Sequence, residues 1–152
     1  MSMPKFGYSA KIKEPCAKAF GKEMRVSPKH AMEVCRAIRG MRLNVAKEYL
    51  EAVREKKKAV PFVRHRKKLA HRRGTGGSGQ YPVKAAREIL KVLKNAEANA
   101  SYKGLDVEKL RIVHASAYKG IIIPGTLPRA FGRSTSYNKP LTNVEIVLKE
   151  AS

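Results

Sequence analysis

PGTLPRAFGRSTSYNKP, residues 124–140, decides how the rest of this chain is read. It offers almost nothing to a hydrophobic core and holds no acidic residue. Upstream of it, Leu110, Ile112, His114, Ser116 and Tyr118 alternate with Arg111, Val113, Ala115, Ala117 and Lys119. Downstream, Val144, Ile146 and Leu148 alternate with Glu145, Val147 and Lys149. A period of two marks half-buried strands. The two segments therefore read as arms of one β-hairpin over 109–149, with its bases facing a core and its tip near 124–140. If 118–142 continues as a ribbon, each arm of about 12 residues spans roughly 40 Å. No domain this small covers both sides of that length, and an isolated two-stranded ribbon is marginal in water. The tongue needs an outside partner. Its cations, Lys109, Arg111, Lys119, Arg129, Arg133 and Lys139, say that the partner is anionic. Tyr137 and Phe131 could stack on bases.

The charge of the whole chain agrees. Among 152 residues, 33 Lys and Arg face 12 Asp and Glu, a formal net charge of +21. Self-repulsion on that scale opposes a compact state unless a polyanion neutralises it, which points to nucleic acid. An anionic membrane is the competing polyanion, but no apolar run approaches the roughly 20 residues of a spanning helix. The start, MSMPKFGYSAKIKEP, lacks the apolar run of a signal peptide, so a cytoplasmic protein is expected. The length suits one domain.

Working back from the hairpin, three helices are expected. The third opens at Pro82 and runs to about Ala100, with Val83, Ala86, Ile89, Leu90, Leu93 and Ala96 as its core stripe. Lys84, Arg87, Lys91 and Lys94 form a basic stripe beside it. The first helix has Ser27 as N-cap and Pro28 at its first position. Ala31, Val34, Cys35 and Ile38 follow at helical spacing, and Gly40 stops it. The second starts near Asn44 and buries Val45, Tyr49, Leu50 and Val53. Residues 1–20 show little periodicity and read as an N-terminal arm; Glu23 to Val26 is a weak strand candidate. Residues 59–80 read as a long basic insertion loop closed by Gly74, Gly76, Gly77 and Gly79. Between Glu55 and Glu88 there is no acid at all. Arg64, Arg66, Lys67, Lys68, Arg72 and Arg73, with Lys84, Arg87 and Lys91, are therefore candidate phosphate ligands, as are Lys119, Arg129, Arg133, Tyr137 and Lys139 on the tongue. The fold class is α+β: three helices on a small antiparallel sheet, with a long protruding hairpin.

Catalytic chemistry finds no purchase. Glu48, Glu51 and Glu55 share a helix face with Lys47, Arg54 and Lys56 close by, which suits a solvated surface better than an acid–base pair. GTGGSG, residues 74–79, meets neither GxxxxGK[ST] nor GxGxxG in its strand–helix context. Cys16 and Cys35 have no CxxC partner, and Cys35 falls on a core stripe. The histidines are scattered. No metal, cofactor or small-molecule substrate is expected, and an RNA-acting enzyme lacks its carboxylate or metal cluster. An architectural DNA-binding protein is the runner-up that charge alone leaves open.

The hairpin, with PRAFGRSTSYNKP near its tip and VEIVLKE in its return arm, resembles the family of large-subunit ribosomal protein twenty-two. SPKHAMEVCRAIRG resembles that family's first helix, and VLKNAEANA the end of its long helix. GYSA, AKAFGKE, YLEAV, VPF and QYPVKAA look like its archaeal and eukaryotic branch, with an archaeal source the closer match. The resemblance covers roughly residues 7–150. It implies a structural rRNA-binding protein of the large ribosomal subunit, a body near the tunnel exit among neighbouring ribosomal proteins, and a hairpin that lines the nascent-peptide tunnel. It further implies that Thr126, Leu127, Arg129, Phe131, Gly132 and Arg133 form the tunnel-facing tip, in reach of nascent polypeptide. Phe131 stands where the pattern suggests a smaller or more polar residue, and Ile121, Ile122 and Ile123 make the outgoing arm unusually apolar.

Overall fold

The computed structural model of the protein describes residues 8–10 and 12–151. Strand β1 (Ala17–Met24) leads into helices α1 (Pro28–Ile38) and α2 (Leu43–Arg54). Short strands β2 (Val60–Pro61), β3 (His71–Arg72) and β4 (Gly77–Gln80) precede the 20-residue helix α3 (Val83–Tyr102). The chain closes with β5 (Leu110–Ile123), β6 (Thr126–Pro128), β7 (Ser134–Ser136) and β8 (Lys139–Glu150). The class is α+β, with three helices and the long hairpin the sequence implies.

The main sheet is antiparallel with the order β1-β8-β5, so the last strand lies in the middle. That position explains why residues 142–148 are buried without a break. Val144, Ile146 and Leu148 join the helix-side core, opposite Gly21, Ala19 and Ala17 of β1. These small partners let α3 come close. A Cβ at Gly21 would lie 2.8 Å from Val92 Cγ2 of α3 and 2.7 Å from Met24 Sδ. Asn99 Nδ2 donates to Lys18 O at 2.8 Å and Lys103 Nζ to Cys16 O at 2.9 Å, which tie the end of α3 to the same strand.

Several expectations shift. Of the strand candidate at 23–26 only Glu23 and Met24 are strand, as the end of the longer β1, which reaches into the stretch read as an arm. Residues 1–7 and 11 of that arm lie outside the described residues. Helix α2 begins one residue early, at Leu43. Its buried face is Leu43, Ala46, Tyr49, Leu50 and Val53, which leaves Val45 exposed. Helix α3 runs on to Tyr102 and adds Ala85, Val92 and Ala100 to its buried set, while Val83 is only half-buried. The alternation in β5 breaks at a bulge: pairing passes from Ile112↔Leu148 to His114↔Val147, with Val113 as the extra residue. One inserted residue swaps the two faces. The inward set is therefore Leu110, Ile112, Ala115 and Ala117, and His114, Ser116 and Tyr118 turn to the far side of the sheet.

Residues 59–80, read as a loop, contain a small sheet of order β2-β4-β3. Thr75 Oγ1 stands 2.8 Å from Arg72 O and 2.7 Å from Gly77 O, closing the β3–β4 turn, and Gly74 and Gly76 supply its left-handed residues. GSGQ carries no strand propensity, so pairing alone makes it a strand.

Beyond Lys119 the hairpin leaves the body. β5 and β8 pair as far as Ile123↔Lys139, and β6 and β7 continue the ladder to Pro128↔Ser134. Residues 121–139 are exposed apart from the half-buried Gly125. The turn lies at 129–133, where Arg129 N donates to Arg133 O at 2.8 Å, with Phe131 and Gly132 both at positive φ.

Candidate nucleic-acid interface

The basic insertion is held by a buried acid. Glu33, on the inner side of α1, is 1% exposed. Its carboxylate accepts the backbone N–H groups of Val63 at 3.2 Å, Arg64 at 2.8 Å and His65 at 2.8 Å. Burial alone would raise its pKa; the three amides outweigh burial and bring it below the ordinary value. Phe62 packs edge-on against His30, with ring centroids 5.5 Å apart. The segment is thereby pinned by its backbone while Arg64, Arg66, Lys67, Lys68, Arg72 and Arg73 remain exposed.

A second buried acid anchors the opposite face of the main sheet. Glu145, fully buried on β8, accepts Ser9 N at 3.2 and 3.3 Å, a bond from Ser9 Oγ, and lies 2.8 Å from His114 Nε2. Burial opposes its ionisation, and the Ser9 and His114 contacts together still lower its pKa. Tyr8, Phe20 and Tyr118 form a ring cluster beside it. Ser, His and Glu meet here without forming a relay. His114 turns one nitrogen, Nε2, to both Ser9 and Glu145, and the hydroxyl is itself spent on the carboxylate. The site is a clasp for the arm.

Other acids are also occupied. Glu97 pairs with Lys47 at 2.5 Å, Glu55 with Lys57 at 2.5 Å, and Asp106 with Lys109 at 3.1 Å. Glu88 holds Arg87 at 3.2 Å and Lys91 at 3.1 Å, so two of the expected phosphate ligands on α3 already have a partner. Exposed pairs of this kind contribute at most about 1 kcal/mol, so a phosphate can replace the carboxylate. Lys84, by contrast, enters no ion pair among the described residues, and neither do Arg64, Arg66, Lys67, Lys68, Arg72, Arg73, Lys119, Arg129, Arg133 or Lys139. Arg72 lies over the Tyr81 ring at 5.6 Å, and Arg129 Nε reaches Thr135 Oγ1 at 3.3 Å. Cys35 is a core thiol pushed up to about 12 by burial.

The structure gathers the sequence-derived candidates into regions rather than one patch. Arg64, Arg66, Lys67, Lys68, Arg72 and Arg73 ride on the small sheet and its loop. Lys84, Arg87 and Lys91 lie on α3. Thr126, Leu127, Arg129, Phe131, Gly132 and Arg133 sit at or beside the exposed tip. Lys84 is brought together with Tyr137 and Lys139 at the tongue's root, where Arg25 joins them. A cleft of about 340 Å³ between α1 and β5 adds Arg36 and Arg39 beside Arg64, and Arg39 Nη2 donates to Ala115 O at 2.7 Å. Arg25, Arg36 and Arg39 carry no local signal: Arg25 lies in the bend before α1, Arg36 and Arg39 lie off its apolar stripe, and only tertiary contact selects them. Glu33 was equally silent. No group of three His, Cys, Asp or Glu side chains converges among the described residues, and no helix there is long and apolar enough to cross a membrane.

What this surface defines is a polyanion-binding module, with acids spent on holding cations and backbone in place. The comparison with known proteins is specific. The family described as "Ribosomal protein L22p/L17e" matches residues 19–149, and the chain belongs to that family. Relatives named "Large ribosomal subunit protein uL22" include one from Methanopyrus kandleri, 56% identical over 140 residues, covering 90% of this chain and 88% of the relative. The Methanocella arvoryzae relative is 52% identical over 152 residues, with 97% and 99% covered. That from Archaeoglobus fulgidus is 54% identical over 149 residues, with 97% and 96% covered. This membership decides against the architectural DNA-binding reading.

Proposed function

We propose that the chain is a non-enzymatic structural constituent of the large ribosomal subunit in the cytoplasm of an archaeal cell. It binds rRNA through the insertion, the α3 stripe and the tongue, and neighbouring ribosomal proteins complete its surroundings. The tip, from Thr126 through Arg129, Phe131 and Gly132 to Arg133, reaches the nascent-peptide exit tunnel and meets the nascent polypeptide there. One observation carries the reading: residues 121–139 project from the body with cations and no carboxylate, and among the described residues they are ordered by their own ladder rather than by the core. Cations on such a ribbon neutralise phosphates and release counterions. An A-form major groove is too narrow for side-chain readout, so the contacts follow RNA shape more than base sequence.

The test is a photoreactive group at Arg129 in large subunits washed at high salt. Adducts to rRNA and to nascent peptide are expected. Loss of the protein from washed subunits, with adducts to DNA instead, would overturn the proposal.

A further inference from the structure

At the root of the tongue lies an open cleft of about 640 Å³, within the size range of small-molecule sites. Four distant parts of the chain build it: Arg25 and Ser27 before α1, Lys84 in the first turn of α3, Ile123 at the end of the outgoing arm, and Tyr137, Asn138 and Lys139 on the returning arm. We propose that this cleft takes one unpaired RNA nucleotide, with its base against Tyr137 and its phosphate among Arg25, Lys84 and Lys139. The inference rests on the rRNA-binding reading and adds a particular RNA feature, an extruded base, to it.

The charges fit. Three cations from three separate segments line the space, no carboxylate does, and none of the three is in an ion pair among the described residues. The cleft also lies at the start of α1, where the Ser27 side chain makes no capping bond, and helix N-termini favour anions.

The aromatic wall is set by the ribbon's own ladder. Tyr137 N donates to Gly125 O at 2.7 Å across the ribbon. A Cβ at Gly125 would lie 2.7 Å from Tyr137 O, so this close approach requires glycine at 125. Tyr137 is 55% exposed, and Lys139 Nζ stands 5.8 Å from its ring centroid, a single cation against a ring with two faces. Beside it, Asn138 Oδ1 accepts Gly125 N at 3.4 Å, which leaves the amide nitrogen to donate to a base edge. A duplex hides the faces of its bases and presents only phosphates and groove edges to a surface. A concave site with an aromatic wall and three cations suits a base that has left its stack.

The probes are a single-stranded RNA pentamer with 2-aminopurine at its centre and a blunt RNA duplex, both titrated against the full chain. Binding of the pentamer should quench the 2-aminopurine fluorescence. Tyr137→Ala should weaken pentamer binding about tenfold and abolish the quench, in line with the cost of losing one stacked base. Tyr137→Phe should keep both, and duplex affinity should stay within about twofold in either variant. A Tyr137→Ala protein that binds and quenches like the parent overturns the inference, as does an equal loss on the duplex; rRNA binding would stand in both cases. Failure of the parent chain to bind either RNA would overturn this inference together with the rRNA-binding reading of the surface on which it rests.

Discussion

At Glu33, three successive backbone N–H groups converge on one carboxylate, and its replacement reads directly on stability. Glu33→Gln keeps the shape but loses the charge that the amides of Val63, Arg64 and His65 solvate, and it turns an NH2 group towards donors. A hydrogen bond to a charged group contributes about 1.5–3 kcal/mol, so a loss of about 2 kcal/mol is expected, measured by urea unfolding. The same residue shapes the pH response. Glu33 and Glu145 both have pKa values lowered from the ordinary 4.5 in the folded chain. On acidification the unfolded state therefore takes up protons first. The stability these groups supply is fully present above pH 4.5 and is lost as pH falls through their folded pKa values. Melting temperature should drop below that pH in the parent and drop less steeply in Glu145→Gln, whose stability at neutral pH is already reduced. Parallel curves would show that general charge repulsion, and not these two carboxylates, sets the acid limb. At Cys35, burial predicts a different behaviour: a thiol reagent should leave it unmodified in the native chain and label it in denaturant.

The elements differ in how much of their stability is their own. Strand β8 is central and buried over 142–148, whereas 121–139 has only its own ladder. Amide exchange in the isolated protein should be slow across 142–148 and fast across 121–137; slow exchange at the tip would mean that the ribbon is stable without RNA. Replacing 121–139 by a short Gly-Ser turn should leave the melting temperature within a few degrees, since those residues add nothing to the core. This is also the scale at which the sequence was legible or not. Helix α3 and the hairpin could be read because their periods are long and their partners local. Strand β1 could not, because AKAFGKEM places Ala17, Ala19 and Gly21 on its inward face, chosen for the approach of α3. The bulge at Val113 left no trace in the pattern. His114, Ser116 and Tyr118 alternate as well as the true inward set, and only pairing with β8 decides between the faces. The root cleft joins residues 25, 84 and 137, which no local pattern connects.

For the whole molecule, the charge was legible at once but its distribution was not. A net +21 is held in one fold because the few acids are placed where they organise cations: Glu33 under the insertion, Glu88 between Arg87 and Lys91, Glu97 on Lys47. The surplus then lies on the insertion, on α3 and on the tongue. Each phosphate neutralised releases counterions, so the logarithm of affinity should fall linearly with that of salt. Removing one phosphate-contacting cation should reduce that slope by about one. Changing Arg64, Arg66, Lys67 and Lys68 together to Gln should therefore flatten the slope for structured rRNA by roughly 3–4. Lys57→Gln is the contrasting variant, because Lys57 already pairs with Glu55 at 2.5 Å, and its slope should change little. Equal effects from the two proteins would mean that net charge alone drives binding. A four-residue variant with the parent's slope would mean that the insertion faces away from the RNA, and that α3 and the tongue carry the phosphate contacts.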